Sequence, residues 1–257
     1  MKILIANDDG IKARGIRELT TAMSAIEGAE IYICAPETQQ SGKSHSISME
    51  KPMQITEVSY EGAVMAMMVN GTPADCVMLG IRYLHSQGID IDIVYSGINE
   101  GSNLGTDTIY SGTVGAAVEG AICGKPSVAV SVASHKPEHF EAACRLAQLV
   151  YPKVAAKMDS SMIVNINTPN LPADEIKGTM ITRIGRREYD EWFTPHKNDN
   201  GITEYWYAGD PIVYDSDDIT IDVIAVQEGY ASITPIMYDS TAHDKIESLQ
   251  KWNIDLI

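Results

Sequence analysis

Short apolar segments of strand length alternate with helix-length segments over the first two-thirds of the chain, and this alternation restricts the fold more than any other feature. The strand-length segments cover residues 2–7, 30–36, 91–97, 126–134 and 161–169. Segments with helical spacing or helix-capping residues cover 16–26, 72–88, 111–124 and 137–158. Strands that are apolar throughout and separated by helices are typical of a parallel sheet with helices on both faces. The sequence therefore predicts an α/β fold with a mainly parallel sheet, extended by a strand pair at 45–58 and 63–71.

The character of the chain changes after about residue 176. Residues 177–185 and 219–236 look β-rich, and residues 187–218 between them are aromatic, acidic and rich in turn residues. This middle stretch predicts an excursion away from the main sheet, followed by a short terminal helix at 240–254. We expect a catalytic core at 1–185 and, in the same globular unit, a β-hairpin excursion, returning strands and a terminal helix at 186–257.

Aromatic residues are concentrated in the excursion. They are Trp192, Tyr205, Trp206 and Tyr207. Aromatic side chains in a hairpin need a cover, which is either another subunit or the hairpin's own domain. The sequence leaves these two alternatives open.

Composition excludes several classes of partner. The 257 residues carry a net charge of -16, so the protein lacks the clustered lysine and arginine that nucleic-acid duplexes and anionic membranes require. No apolar stretch approaches the length of a membrane span, and no signal peptide is apparent. The four cysteines have neither zinc-site nor CxxC spacing and indicate a reducing compartment. We expect a cytoplasmic protein.

Four polar, glycine-bearing loops follow strands or open helices of the predicted sheet. They are Asn7-Asp8-Asp9-Gly10 and the stretches 37–46, 96–107 and 110–117. Loops at the carboxyl ends of parallel strands meet at one edge of a sheet, where α/β proteins bind their ligands. The last loop also places Ser111 and Thr113 at a helix N-terminus, where free N–H groups bind anions.

Each loop also has a simpler interpretation. An Asp-Asp-Gly sequence after a strand is often only a turn, and Ser111 or Thr113 is compatible with a role as a helix cap. A lone loop histidine such as His45 is more often just solvated. The Gly-Lys-Ser of 42–44 is not a P-loop, because Glu37 stands where that motif has its first glycine. No GxGxxG fingerprint follows the first strand.

Taken together, the loops offer a coherent chemistry. Carboxylate, hydroxyl and carboxamide oxygens suit Mg²⁺ or Mn²⁺ and suit zinc poorly. A divalent ion would relieve the repulsion between Asp8 and Asp9, activate a water molecule and neutralise phosphoryl oxygens. We hypothesise metal-assisted hydrolysis of phosphomonoesters, with the phosphate held at the helix that begins near residue 111.

Three motifs resemble the SurE family, the stationary-phase survival 5′-nucleotidases. They are "ILIANDDGIKARGI" at 3–16, "GTPADCV" at 71–77 and "SGINEGSNLGTDTIYSGTVGAAVEG" at 96–120; "EGYASITPI" at 228–236 is also similar. The resemblance implies a Rossmann-like core and a phosphatase with one divalent metal ion, Mg²⁺ or Mn²⁺, in each subunit. It implies nucleoside 5′-monophosphates as substrates, with 3′-nucleotides and short polyphosphate as further candidates. It also implies homodimers or homotetramers whose subunits exchange C-terminal segments.

The family's site residues match individual positions of this chain. The resemblance implies metal binding by Asp8, Asp9, Ser41 and Asn99, with the two aspartates as catalytic residues. It implies phosphate or substrate contacts by Asn103, Ser111, Gly112 and Thr113, to which we add Lys43 and His45 as candidates. Gln40 departs from the pattern, because the family often has an arginine before the loop serine. We expect Lys43 to substitute for it.

Two questions stay open at this level. An aspartate after the first strand is also how aspartyl-phosphate enzymes begin, so a carboxylate nucleophile is an alternative to water. A non-catalytic nucleotide sensor is an alternative to the enzyme, since the same acidic pair and metal would bind a nucleotide without turning it over.

Overall fold

The computed structural model describes residues 1–157, 161–190, 193–207, 209–212, 216–252 and 254. Its strands are β1 Lys2–Ala6, β2 Glu30–Pro36, β3 Ile55–Val58, β4 Met65–Val69, β5 Ile93–Glu100, β6 Ser127–Val132, β7 Met162–Thr168, β8 Thr179–Ile181, β9 Phe193–Lys197, β10 Thr203–Tyr207 and β11 Ala231–Met237. Its α-helices are α1 Arg14–Ser24, α2 Pro73–Ser86, α3 Gly112–Ile122, α4 Glu141–Lys157, α5 Asp222–Gln227 and α6 Ile246–Gln250. Two short 3₁₀ helices cover Gly105–Ile109 and His243–Lys245.

Nine of these strands form one sheet in the order β3-β4-β2-β1-β5-β6-β7-β11-β8. Neighbouring strands are parallel except at β3–β4 and β7–β11. The prediction of a mainly parallel α/β sheet is therefore confirmed. The chain first builds outward from β1 on one side and then continues on the other side with β5, which pairs directly with β1. This reversal leaves a crevice beyond the carboxyl ends of β1 and β5, where doubly wound sheets bind their ligands.

Alternation of side chains along the buried strands places helices on both faces of the sheet. In β1, Ile3 and Ile5 belong to one core cluster, whereas Leu4 and Ala6 belong to another. Helices α1 and α4 pack together on the first face, and α2 and α3 pack together on the second. Because successive side chains of a strand point to opposite faces, an unbroken apolar run such as this one requires a cover on both sides.

Two predicted strand regions differ from the structure. Residues 45–54 form an irregular segment, and only 55–58 pair with β4. The Ser48 N–H donates to the Asp75 carboxylate at 3.0 Å and the Gln54 N–H to the Asn70 side chain at 2.8 Å, so these groups bond to side chains and not to a neighbouring strand. Within the predicted β-rich stretch 219–236, residues 222–227 form helix α5.

The excursion contains a separate antiparallel pair, β9 and β10. Trp192 lies outside the described residues, and nothing is described of the Tyr207 side chain. Phe193, Tyr205 and Trp206 are 60%, 68% and 63% exposed, so their own chain leaves them largely uncovered. The predicted terminal helix is shorter than expected, since α6 covers only Ile246–Gln250 after a 3₁₀ turn. Within the described ranges, no helix combines the length and apolar character needed to cross a membrane.

Candidate metal and phosphate site

The acidic pair lies on a tight turn at the end of β1. Gly10 has φ +95°, a conformation that residues with a side chain rarely adopt, and the Asn7 side chain donates to its carbonyl at 2.9 Å. A Cβ atom on Gly10 would also come within 3.3 Å of the Thr38 carbonyl carbon. Glycine is therefore required where the chain reverses after Asp8 and Asp9.

Asp8 is buried against the N-terminus of α3. It is 4% exposed, and both the hydroxyl and the backbone N–H of Thr113 donate hydrogen bonds to its carboxylate. The helix approaches so closely that a Cβ on Gly112 would lie 2.9 Å from the Asp8 Cβ. Burial, and then the charge of Asp9, raise the pKa of Asp8 to about 6 in spite of these hydrogen bonds. The negative charge of Asp8 is therefore unfavourable in its buried position, and a bound cation would stabilise the ionised form.

Asp9 contacts one residue after β2 and one residue at the end of β5. Its Oδ2 accepts the Glu100 N–H at 3.1 Å, and its Oδ1 lies 3.5 Å from the Gln39 side-chain nitrogen. Burial raises the pKa of Asp9, while these two donors act in the opposite direction. Two adjacent carboxylates therefore both resist ionisation at the crevice.

Two observations indicate that a divalent cation fits beside Asp8 and Asp9. Among the described residues, no lysine, arginine or histidine forms an ion pair with Asp8 or Asp9. Two more buried oxygens, Asn7 Oδ1 directly after β1 and Ser96 Oγ within β5, find no hydrogen-bond partner in the same set of residues. Uncompensated buried charge and unpaired buried oxygens are both costly. The donor set is composed of oxygens, which suits a hard cation.

The other two expected metal ligands lie on the loop after β2 and in the last residues of β5. The loop of Ser41 is attached to the acidic turn, because the Gln40 N–H donates to the Asp8 carbonyl at 2.7 Å. Asn99 is the penultimate residue of β5, and its side-chain nitrogen donates to the Gly101 carbonyl at 2.8 Å. This bond uses the amide nitrogen and leaves the Asn99 oxygen as the group that a cation would bind.

The N-terminus of α3 is the predicted anion site, and its side chains already form hydrogen bonds within the protein. Ser111 is the N-cap, and its hydroxyl accepts the Val114 N–H at 3.1 Å. The Thr113 hydroxyl is bonded to Asp8. The Thr113 N–H is bonded to Asp8 and the Val114 N–H to Ser111, so we expect a phosphate to meet the Gly112 N–H and the positive end of the helix dipole.

The other three predicted substrate contacts, Asn103, His45 and Lys43, lie away from the first turn of α3 in the sequence and differ from one another in their surroundings. The Asn103 side chain is buried and donates to the Ser131 hydroxyl at 2.9 Å, in a network at the ends of β6 and β7. The His45 ring binds Glu119 at 2.7 Å. Lys43 is exposed on its loop. Their roles toward substrate stay predictions.

Sequence reasoning did not identify several groups, distant in the chain, that bond to the predicted site residues or to the segments around them. The Glu100 N–H is a backbone donor and gives no signal in a sequence. Glu119 carries a signal in retrospect, since a single charge stands among the alanines and glycines of a helix that must be buried. Arg187, from the excursion, pairs with Asp107 at 3.1 Å, and Tyr189 donates to the same carboxylate at 2.5 Å.

A cavity of about 430 Å³ lies at the carboxyl ends of β6 and β7, where Ala133 and Pro169 form part of its wall. Its wall includes Ser102, Leu104, Asn170 and Arg187, a mixture of apolar and hydrogen-bonding groups. Ser102 follows Asn99 by three residues, so their Cα atoms are at most about 11 Å apart.

Comparison with known proteins matches this geometry to a family. The family model described as "Survival protein SurE" matches residues 3–191. The chain belongs to the SurE family. It is 40% identical over 257 residues to a protein named 5′-nucleotidase SurE from a Synechococcus species, covering 99% of this chain and 98% of the relative. A protein of the same name from Pelotomaculum thermopropionicum is 42% identical over 252 residues, covering 98% of this chain and 95% of the relative.

A solved structure supports the same assignment. The crystal structure of SurE protein from Aquifex aeolicus matches with a TM-score of 0.83 and 34% sequence identity, covering 99% of this chain and all of that one. The resemblance drawn from the motifs is thereby confirmed, as is the predicted Rossmann-like fold class. The SurE motifs at 3–16 and 96–120 are the segments that build the acidic turn and the N-terminus of α3.

Proposed function

We propose that this protein is a divalent-metal-dependent 5′-nucleotidase, which hydrolyses nucleoside 5′-monophosphates to nucleoside and phosphate. The observation that carries the proposal is the pair of buried Asp8 and half-buried Asp9, which has no basic partner among the described residues and lies beside the N-terminus of α3. Two carboxylates in this state need a cation, and a helix N-terminus next to that cation suits a phosphate. Curated relatives in the SurE family bear the name 5′-nucleotidase.

In this proposal Asp8, Asp9, Ser41 and Asn99 hold one Mg²⁺ or Mn²⁺ ion in each subunit. Such an ion would lower the pKa of a bound water molecule and neutralise the charge on the phosphoryl oxygens. Thr113 fixes the Asp8 carboxylate with two hydrogen bonds, and the Glu100 N–H fixes that of Asp9. These bonds orient the carboxylates before the substrate arrives, so little reorganisation accompanies the reaction.

The substrate phosphate binds at the first turn of α3, through Ser111, Gly112 and Thr113. Asn103, Lys43 and His45 are the other proposed contacts. Lys43 is the exposed cation of the 37–46 loop, which suits it to take the place of the arginine that Gln40 replaces. The cavity beside Ser102 provides space of about 430 Å³ for the nucleoside.

The first experiment measures phosphate release from purified protein with nucleoside monophosphates and Mn²⁺. We expect release that is abolished by a chelator and restored by excess Mn²⁺. A panel of 3′-nucleotides, other phosphomonoesters and polyphosphate defines the substrate range. Nucleotide binding without release would favour a sensor and contradict the proposal.

Substitution of the acidic pair provides the matched test. Asp8→Asn and Asp9→Asn keep the size of each side chain but remove the charge that holds the cation, so we expect metal-dependent turnover to fall at least about 10³-fold. Circular dichroism checks that both variants fold. Wild-type turnover in either variant would refute the assignment of the site.

A single-turnover experiment with ³²P-labelled nucleoside monophosphate, quenched with acid, distinguishes the two nucleophiles. Attack by water transfers the phosphoryl group directly into product phosphate, whereas attack by an aspartate first leaves an acyl phosphate on the protein. We propose water as the nucleophile, because Asp8 is buried and hydrogen-bonded to Thr113. Labelled phosphate attached to Asp8 or Asp9 would contradict this mechanism.

We also propose a cytoplasmic location and a homodimer or homotetramer. The four cysteines are all free, which suits a reducing compartment. The exposed aromatic side chains of β9 and β10 suit burial against a second subunit.

A further inference from the structure

The loop that carries Ser41 is attached to the rest of the site at two points. At one point the Gln40 N–H donates to the Asp8 carbonyl at 2.7 Å. At the other, the Ser44 N–H donates to the Tyr110 carbonyl at 2.9 Å and the Ser44 hydroxyl donates to the Ile109 carbonyl at 2.6 Å. Ser41 lies between these points, so its position depends on both.

The second attachment point holds the backbone in an unfavourable conformation. Ser44 has φ +55°, in the left-handed region that residues with a side chain usually avoid. The loop also packs closely on α3, because a Cβ on Gly115 would lie 2.7 Å from the Ser44 carbonyl oxygen. Such a conformation persists only when neighbouring contacts hold it.

A hydrogen bond between the neighbouring residue, His45, and Glu119 of α3 is one of these contacts. His45 Nε2 lies 2.7 Å from Glu119 Oε2, and Glu119 is 7% exposed. Its other carboxylate oxygen lies 3.7 Å from the Cys123 thiol. Within the described part of the chain, His45 is the one basic residue that pairs with Glu119. A buried carboxylate is retained at such a position only with a partner, so the pair couples the loop to α3.

We propose that Glu119 is a positioning residue for the metal site: through His45 it holds the 37–46 loop so that Ser41 lies beside Asp8 and Asp9. The inference rests on the proposed metal site and adds a residue that does not touch the ion. Without the pair, the loop keeps its hydrogen bonds at Gln40 and Ser44 but loses the contact that supports the Ser44 conformation, so Ser41 is held less firmly. The two carboxylates stay in place, so metal binding weakens but is not abolished.

The test measures Mn²⁺ binding to the metal-free protein by isothermal titration calorimetry, without substrate. We expect Glu119→Ala to raise the dissociation constant about tenfold, at the lower end of the effect typical of groups that orient metal ligands. Glu119→Gln keeps a hydrogen-bonding oxygen for His45, so we expect an affinity between those of the wild type and Glu119→Ala. At saturating Mn²⁺ the kcat of both variants should return to within about twofold of the wild type, since the carboxylates and α3 are unchanged.

Three further variants make the test specific. His45→Ala should weaken Mn²⁺ binding as Glu119→Ala does, and the double variant should be no weaker than either single one, because both remove the same interaction. Ser41→Ala should also weaken binding. His85→Ala is the control: His85 pairs with Asp90 at 2.6 Å near the C-terminus of α2, at the opposite edge of the sheet, and its loss should leave Mn²⁺ affinity unchanged.

The outcomes separate this inference from the function on which it rests. If the wild type does not bind Mn²⁺, the proposed metal site is wrong and the inference is overturned with it. If the wild type binds Mn²⁺ and Glu119→Ala binds equally well, the metal site stands and the positioning role is overturned. A lower melting temperature for Glu119→Ala with unchanged Mn²⁺ affinity would show a purely structural role and would also overturn the inference.

Discussion

Asp8 illustrates at the scale of a single residue how a ligand site weakens the fold that contains it. Its pKa is raised from 3.8 to about 6, chiefly by burial and secondly by the charge of Asp9. The folded protein therefore holds the proton more tightly than the unfolded chain does. The contribution to stability is complete below pH 4 and is lost as the pH rises through about 6. A shift of this size corresponds to about 3 kcal/mol.

This electrostatic strain predicts that Asp8→Asn stabilises the metal-free protein. In chelator at pH 7.5, the asparagine variant should melt several degrees above the wild type, because it removes the buried charge and keeps an oxygen that accepts from Thr113. The advantage should disappear near pH 4, where Asp8 of the folded protein is protonated. Thermal unfolding followed by circular dichroism at both pH values checks this. An Asp8→Asn variant that is less stable at pH 7.5 would contradict the interpretation of the acidic pair as a strained, cation-requiring site.

At the scale of elements, a buried carboxylate of α5 joins three segments that are distant in sequence. Asp222 is fully buried and accepts the N–H groups of Gly105, Gly185 and Val223, each at 2.8 Å. Gly105 opens the 3₁₀ helix that leads from the Asn103 network to α3. The returning C-terminal segment therefore helps to hold the loop that leads to the phosphate-binding helix.

Asp222→Ala should lower the free energy of unfolding by about 3 kcal/mol or more, because two buried donors and one part-buried donor lose their acceptor. Urea unfolding measured by fluorescence and circular dichroism gives the change in free energy, provided that the transition remains cooperative. Asp90→Ala is the control: Asp90 is exposed and pairs with the exposed His85, so its loss should change the midpoint far less. A midpoint for Asp222→Ala equal to that of the wild type would contradict the proposed tie between α5 and the loop.

At the scale of the whole molecule, the exposed hairpin predicts association. Tyr205 and Trp206 are more than 60% exposed on β10, and exposed aromatic surface of this kind is typical of interfaces between proteins. The alternative that the hairpin folds back on its own domain is disfavoured, because the same chain leaves these side chains open. The division of the chain at 185 and 186 stays a prediction.

Trp206→Glu should shift the protein toward smaller species, because a charge in the interface is desolvated without a partner. Size-exclusion chromatography with light scattering measures the mass over a range of protein concentrations. Val64→Glu is the control. Val64 is 64% exposed and lies between β3 and β4, at the β3 end of the nine-stranded sheet. A wild-type mass for Trp206→Glu would contradict the role of the hairpin in association.

Local patterns in the sequence determined most of the secondary structure. Helix α2 is an example, because Thr72 and Asp75 form the capping box that their spacing predicts, and Pro73 begins the helix. Local patterns also mislead: residues 219–227 are rich in β-branched side chains and look like a strand, yet 222–227 form α5. Val223 and Val226 of this helix pack against Leu104, a contact that no local pattern contains.

For the site, the sequence by itself determined which residue types follow which strand, and hence which loops share one edge of the sheet. Tertiary structure alone decided how each group is used: Ser111 caps α3, Asn103 enters a buried network and His45 pairs with Glu119. The physical reason is the range of the interactions. Capping and periodicity act over a few residues, whereas Asp8 and Thr113 are 105 positions apart and meet only because β5 pairs with β1.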